Sequence, residues 1–184
     1  MLTEYPTLKT DRLLLRELLD SDSTDLYEIF SSEKVTKYYG MFPVTSIEAI
    51  MHMINNFSVG FKDHRSIRWG IVEKTSGKVI GTCGFHNINK HHFRAEIGYE
   101  LSESYWNNGY MKETLQTILS FGFKVMNYKR IEALIYPDNS FSIKALEKLG
   151  FKKEGLLRDY MCFRNKTTDL FIYSLLEREF TDYK

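Results

Sequence analysis

At 184 residues the chain is long enough for one sizeable core, and 43% apolar with 27% charged residues is the balance of an ordinary globular protein. Aromatic residues make up 15%, which excludes a disordered chain. The 25 basic and 24 acidic side chains leave a net charge of +1, far from the footprint of a dedicated nucleic-acid binder.

No apolar run approaches the ~20 residues that cross a bilayer, and the first residues carry no secretion-type apolar segment. A soluble, cytoplasmic protein is therefore expected, with neither nucleic acid nor membrane as partner. Cys83 and Cys162 lie too far apart in sequence for a metal pair or a disulfide framework, and read as reduced thiols. With no linker, repeat or low-complexity tract, one domain over residues 1–184 is expected.

After a polar lead-in, residues 12–16 read as a first strand. Residues 21–24 supply caps for a short helix with Leu26, Ile29 and Phe30 at helical spacing. Thr45, Ser46 and Glu48 open a second helix whose buried face is predicted as Ile47, Ile50, Met51, Ile54 and Phe57. Ile67, Trp69 and Ile71 alternate as a strand. Lys74 to Gly77 make a turn, and residues 79–85 return as the second arm of a hairpin. Residues 86–93 are polar and are expected as a loop. Residues 94–101 form the next strand, with Ile97, Tyr99 and Leu101 on one face and Glu96, Gly98 and Glu100 on the other. A Gly-containing loop leads into a long helix bearing Met111, Leu115, Ile118, Leu119, Gly122 and Met126. A strand over 130–136 follows, then a helix capped by Asn139 or Ser140 and stopped at Gly150, then strands over 155–163 and 169–176.

Two segments invite chemistry. The strand ending at Leu101, the loop 102–109 and the helix from Tyr110 make an anion site, because free N–H groups and the helix dipole converge there. Neither a Walker loop nor a Rossmann glycine fingerprint is present. In Asp138-Asn139-Ser140-Phe141-Ser142, Asn139 and Ser142 read either as plain helix capping or as a polar edge turned toward a ligand.

Together, WNNGYMKETLQTILSFGF and IEALIYPDNSFSIKALEKLGFKKEG resemble the GNAT superfamily of acyl-CoA-dependent N-acetyltransferases. More narrowly they resemble its branch of ribosomal-protein N-terminal acetyltransferases, the RimJ/RimL type. The likeness extends through TDRLLLREL, GKVIGTCGF, AEIGYEL and DLFIYSLL. It implies an α/β (α+β) fold: a central mixed, mostly antiparallel sheet of about seven strands flanked by helices. It implies acetyl-CoA, or coenzyme A as product, as cosubstrate, and no metal. Trp106, Asn107, Asn108, Gly109, Tyr110 and Met111 match the family's pyrophosphate loop, with Trp106 for the usual Arg or Gln and Met111 for the usual Gly or Ala. Leu101 and Ser102 would offer main-chain partners to the pantetheine arm, as in strand addition. Asn139 and Ser142 match the N-x-x-S edge that faces the arm and thioester.

The implied reaction is direct attack of a primary amine on the acetyl thioester in a ternary complex. A base must take a proton, and Glu100 is the first candidate, Glu96 the second; each can equally pair with a nearby Arg or Lys. A backbone N–H near Leu101 would serve the developing oxyanion, and Ser142 would protonate the thiolate. Many GNAT enzymes carry a tyrosine where this chain has Leu146, leaving Tyr136 and Tyr160 as alternatives. His86, His91 and His92 read as a surface loop rather than a metal site, with His86 able to line the acceptor cleft as a base. Met51, Met53, Phe57 and Phe61 read as core or acceptor-cleft lining. The acceptor is a protein N-terminus or a small amine. A polyamine or antibiotic acetyltransferase, and a non-enzymatic acyl-CoA sensor, are the alternatives. A sheet edge or the last strand offers a surface for a homodimer.

Overall fold

The computed structural model describes Leu2, residues 4–163 and residues 165–181. It opens with β1 (Leu8–Lys9) and β2 (Leu13–Arg16), then α1 (Ser23–Phe30), α2 (Glu33–Thr36) and α3 (Ile47–Lys62). The hairpin β3 (Ile67–Glu73) and β4 (Val79–Asn89) leads to β5 (Arg94–Leu101), α4 (Tyr110–Lys124), β6 (Arg130–Ile135), α5 (Ser140–Glu147), β7 (Lys152–Phe163) and β8 (Lys166–Leu176). The strands form one sheet in the order β1-β2-β3-β4-β5-β6-β8-β7. Among the described residues only β5 and β6 run parallel, joined by the α4 crossover expected near the middle.

Among the described residues eight strands stand where about seven were expected, because the polar lead-in contributes β1, paired to β2 at Leu8↔Leu15. A second correction concerns residues 86–89. They continue β4, with His86 opposite Glu96 and Asn89 opposite Arg94, so the turn shrinks to residues 90–93. Polarity pointed to a loop there, but one face of the strand end is open and tolerates polar side chains.

Alternation divides the sheet into two faces. Ile67, Trp69, Ile71, Cys83, Phe85, Ile97 and Leu101 join Leu115, Ile118 and Leu119 of α4 and Leu146 of α5 in the larger core. On the opposite face Val72 and Val79 pack with Leu26, Ile29 and Phe30 of α1 and Ile50 and Ile54 of α3. Helix α3 begins where the Ser46 hydroxyl accepts the Ala49 N–H, and its buried stripe omits Met51, which is exposed. Helix α4 presses closely on the sheet at Gly122, where a Cβ would meet Phe85 and Ile131. Cys83 is buried and Cys162 exposed, and both are free. No helix among the described residues is long and apolar enough to cross a membrane.

One clamp ties the last three strands together. Arg130 on β6 reaches Glu154 on β7 with both Nη atoms (2.7 and 2.5 Å) and Glu132 with Nε (2.6 Å), and Ser174 on β8 donates to Glu154 (2.7 Å). Arg130 holds the Glu154 carboxyl well below its ordinary range, at about 2. A carboxyl depressed by folding stabilises above its unfolded pKa of ~4.3, and that stability fades as pH falls toward 2. Urea unfolding of wild type and Glu154→Gln is expected to differ at pH 7 and to converge near pH 2.

Candidate functional site

Strands β5 and β6 pair at Arg94↔Arg130, Ala95↔Ile131 and Glu96↔Glu132. Both continue past that point, to Leu101 and Ile135, without pairing to each other. The gap opens into a cleft of about 610 Å³, lined from β5, β6, the loop after β5, α5 and the segment after α2. Because the cleft cuts through the sheet, it receives side chains from both faces.

One end of the cleft is the turn into α4. Asn107 and Gly109 both take positive φ (62° and 79°), which turns the chain sharply and suits Asn and Gly. No side chain caps α4, so the N–H groups of its first turn, from Tyr110, Met111 and Lys112, have no intrahelical partner. Such an end binds a diphosphate readily, and the residues present fit the one the family resemblance implies. Met111 packs against the larger core and also lines the cleft. Asn108 donates to the Trp106 carbonyl (3.1 Å) and stiffens the turn from within. Arg12 braces it from outside: Nη1 donates to the Asn108 carbonyl (3.0 Å), Nε donates to Glu113 (2.7 Å), and the guanidinium lies 4.2 Å from the centre of the Tyr110 ring. Against the upward push of burial, Thr10 and Arg12 hold the Glu113 carboxyl below its ordinary range.

On the α4/α5 face, the Trp106 indole donates to the Leu101 carbonyl (2.7 Å). Ser102 gives its N–H to Ile80 (2.8 Å) and its carbonyl to Tyr105 (3.0 Å). Of the two main-chain partners expected for a strand-like arm, Ser102 already has both its N–H and its carbonyl bonded inside the fold. Alternation turns the Leu101 N–H away from β4 and into the cleft, where no strand takes it. Tyr99 and Ser142 share a hydroxyl–hydroxyl hydrogen bond (2.5 Å), and burial raises the Tyr99 phenol. Asn139 is the α5 cap, its side-chain oxygen accepting the Ser142 N–H (3.2 Å), and it also lines the cleft. Capping and site lining thus coexist. Phe141 is 70% exposed, with its ring 6.4 Å from that of Trp106 across the cleft mouth.

On the α1/α3 face, Glu100, the first candidate base, is closed inside a buried ion pair. One carboxylate oxygen is held by Arg68 and the other by the Thr82 hydroxyl. Arg68 also donates to Thr82 (2.6 Å) and the Gly98 carbonyl (3.0 Å), and the two side chains are only 8% and 4% exposed. Burial raises the Glu100 carboxyl, with Arg68 and Thr82 pulling against it. The rings of Tyr39 and Phe57 lie over the guanidinium at 5.8 Å. Glu96 pairs with His86 Nε2 (3.0 Å) and accepts from Asn87 (2.9 Å). The rings of Tyr38 and Tyr136 meet near the far wall with centres 5.8 Å apart and planes tilted by 48°, and the Tyr136 hydroxyl donates to the Met161 sulfur. Tyr160, the other tyrosine considered from sequence, is 54% exposed and does not line the cleft.

Sequence reasoning missed Arg12, Arg68 and Tyr99 as site residues. Tyr99 was counted with the apolar face, where it does lie, but the sheet opens beside it. Arg12 directly precedes β2 and Arg68 sits on β3, each distant in sequence from the loop or strand it serves. Among the described residues no group of three or more His, Cys, Asp and Glu side chains converges as a metal site.

Residues 12–152 match the model of the acetyltransferase (GNAT) domain. The chain is 40% identical over 173 residues to the uncharacterized N-acetyltransferase YoaA of Bacillus subtilis, covering 94% of this chain and 98% of that protein. It is 27% identical over 183 residues to the [ribosomal protein uS5]-alanine N-acetyltransferase of Escherichia coli, covering 95% and 92%. A solved acetyltransferase of the GNAT family from Bacillus anthracis superposes with a TM-score of 0.83 at 28% identity, over 95% of this chain and all of that one.

The Arg68–Glu100 pair makes a structural prediction. Removing one partner of a buried pair leaves the other charge uncompensated, at about 3–5 kcal/mol. Glu100→Gln is expected to lose about that much in denaturant unfolding, and the Arg68→Met/Glu100→Met double variant less.

Proposed function

The chain belongs to the GNAT acetyltransferase family, and on that premise we propose that it moves the acetyl group of acetyl-CoA to a primary amine carried on an uncharged, largely apolar body. The observation that carries the reading is a cleft with two unlike ends: a backbone anion site at the α4 turn and an aromatic chamber on the other face of the sheet.

The diphosphate of the cosubstrate would sit on the first-turn N–H groups of α4, with Arg12 adding positive charge beside them. Trp106 and Phe141 would flank the pantetheine arm at the cleft mouth. The bound cosubstrate supplies an activated acetyl thioester. The Leu101 N–H is aimed where the thioester carbonyl oxygen would lie and would draw off its growing charge. Ser142, backed by the Tyr99 hydroxyl, is the proton source for the departing sulfur.

The acceptor reading rests on charge and on lining. Both carboxylates of the chamber are occupied, Glu100 by Arg68 and Thr82, Glu96 by His86 and Asn87. A polycationic amine would find no free carboxylate there, whereas Tyr38, Tyr39, Phe57 and Tyr136 suit an apolar or aromatic amine or the first residue of a peptide.

Thermal melting tests the first half. Acetyl-CoA at about 100 times its dissociation constant adds about 2.7 kcal/mol, which is several degrees for this chain length. Acetyl-CoA and CoA are each expected to produce that shift and ATP none; no shift with either CoA species overturns the reading. Thiol release tests the second half. Turnover is expected with phenylethylamine or a peptide with N-terminal alanine and not with spermidine, and the reverse order overturns the acceptor class.

A further inference from the structure

We infer that His86 is the general base of the acetyl transfer, held in its working tautomer and orientation by Glu96. The inference rests on the acetyl-transfer reading above and assigns the step that Glu100, closed inside its ion pair, cannot perform.

The geometry has three parts. First, His86 and Glu96 are directly opposed on β4 and β5, so their side chains share the α1/α3 face of the sheet, the chamber side. Second, His86 Nε2 meets Glu96 Oε1 at 3.0 Å, and Asn87 fixes the other carboxylate oxygen at 2.9 Å. With Nε2–H donated to Glu96, the neutral ring keeps its lone pair on Nδ1. Third, the Cε1–Nδ1 edge of the ring lies over Gly98. A Cβ at that position would come within 3.1 Å of Cε1 and 3.5 Å of Nδ1. The acceptor atom of His86 thus lies over the β5 residue that directly precedes Tyr99, where the strand borders the cleft. The half-exposed imidazole is reachable by an amine in the chamber.

The charged groups around His86 come from every neighbouring strand. Arg68 on β3 also reaches the Gly98 position and is neutralised by Glu100. Arg94 on β5 lies beyond Glu96 and is tied to Glu132. Tyr39 and Phe57 contribute rings over Arg68. Glu96 is therefore the carboxylate in direct contact with the imidazole, and Glu96 is a positioning residue rather than a catalytic one.

The proton and bond count closes. An ammonium in the chamber loses one proton to His86 Nδ1 and becomes a nucleophile. The nitrogen–carbon bond to the acetyl group forms as the carbon–sulfur bond breaks, and the electron pair stays on sulfur. The second amine proton balances the one that Ser142 delivers to the thiolate, so one proton is released overall.

The test is steady-state thiol release with acetyl-CoA and phenylethylamine, or the alanine peptide if that is the faster acceptor, from pH 5.5 to 9. A positioned base contributes roughly 10²–10⁴-fold. His86→Asn and His86→Ala are expected to lower kcat/KM at least a hundredfold and to lose the acidic limb of the profile. Acetyl-CoA should still raise their Tm as in wild type, which shows that they fold and bind. Added imidazole is expected to restore part of the His86→Ala rate. Glu96→Gln is expected to cost about tenfold in kcat with the KM for the amine unchanged, the split expected of a residue that positions the base without touching the acceptor. Retention of wild-type rate and profile in both His86 variants overturns the assignment while leaving acetyl transfer standing. A lower rate with the acidic limb unchanged overturns it too, since His86 would then only shape the chamber. Absence of thiol release from wild type with either acceptor overturns the acetyl-transfer reading, and this inference with it.

Discussion

Everything the site can do depends on where β5 leaves β6. Three paired residues hold the strands together, and past Glu96 and Glu132 they part. A parallel pair joined by a helical crossover has no hairpin to hold its far ends together, so it can open there while the α4 core holds the near ends. The opening leaves the Leu101 N–H without a strand partner. Unpaired strand backbone inside a protein is costly unless something else satisfies it. Here the exposed backbone faces a cleft where an amide-bearing ligand can take the place of a strand.

The same opening lets the alternation of one strand serve two tasks. Residues of β5 with side chains on the α4/α5 face, Tyr99 and Leu101, meet Ser142 and Trp106. Residues on the other face, Glu96, Gly98 and Glu100, meet His86 and Arg68. A slip of one residue in the β4–β5 register would exchange the two sets. Close approach protects that register, since a Cβ at Gly81 would meet the Glu100 carbonyl; on the other side of β4 a Cβ at Gly84 would meet the Ile67 carbonyl of β3. The buried Arg68–Glu100–Thr82 knot spans β3, β4 and β5 and fixes the floor on which an acceptor would rest.

Much of this was legible in the residues. The alternation of 94–101, the helical stripe after Gly109 and the cap before Ser142 are local patterns, and the structure keeps all three, except that α4 ends at Lys124 and leaves Met126 of the expected stripe beyond it. The Gly-containing turn was legible because positive φ has a short list of suitable residues. What escaped was long-range pairing. Glu100 looked like a base because the sequence does not reveal that Arg68 and Thr82 arrive beside it from two other strands. Residues 86–89 looked like a loop because polarity alone does not distinguish an exposed turn from a strand end facing an open chamber. Ser102 looked available because its bond to Ile80 depends on register, which alternation predicts in face but not in partner.

Trp106 shows how a departure from the family pattern can keep its physics. An Arg or Gln at the head of the turn into α4 would bring a charged or amide group; Trp106 brings a ring that packs against both hydrophobic cores and an N–H for the Leu101 carbonyl. Its contribution is rigidity: the turn is anchored on both faces of the sheet before any ligand arrives, so less order remains to be imposed on binding. The missing charge comes from the segment just before β2, through Arg12 on the Asn108 carbonyl and Glu113. Arg12 is in turn held by Glu113 of the helix it braces, so the cation is fixed in place rather than free to follow solvent. Anchoring and charge, which one side chain could have combined, are here divided between two residues nearly a hundred positions apart. The fold, rather than the local motif, unites them.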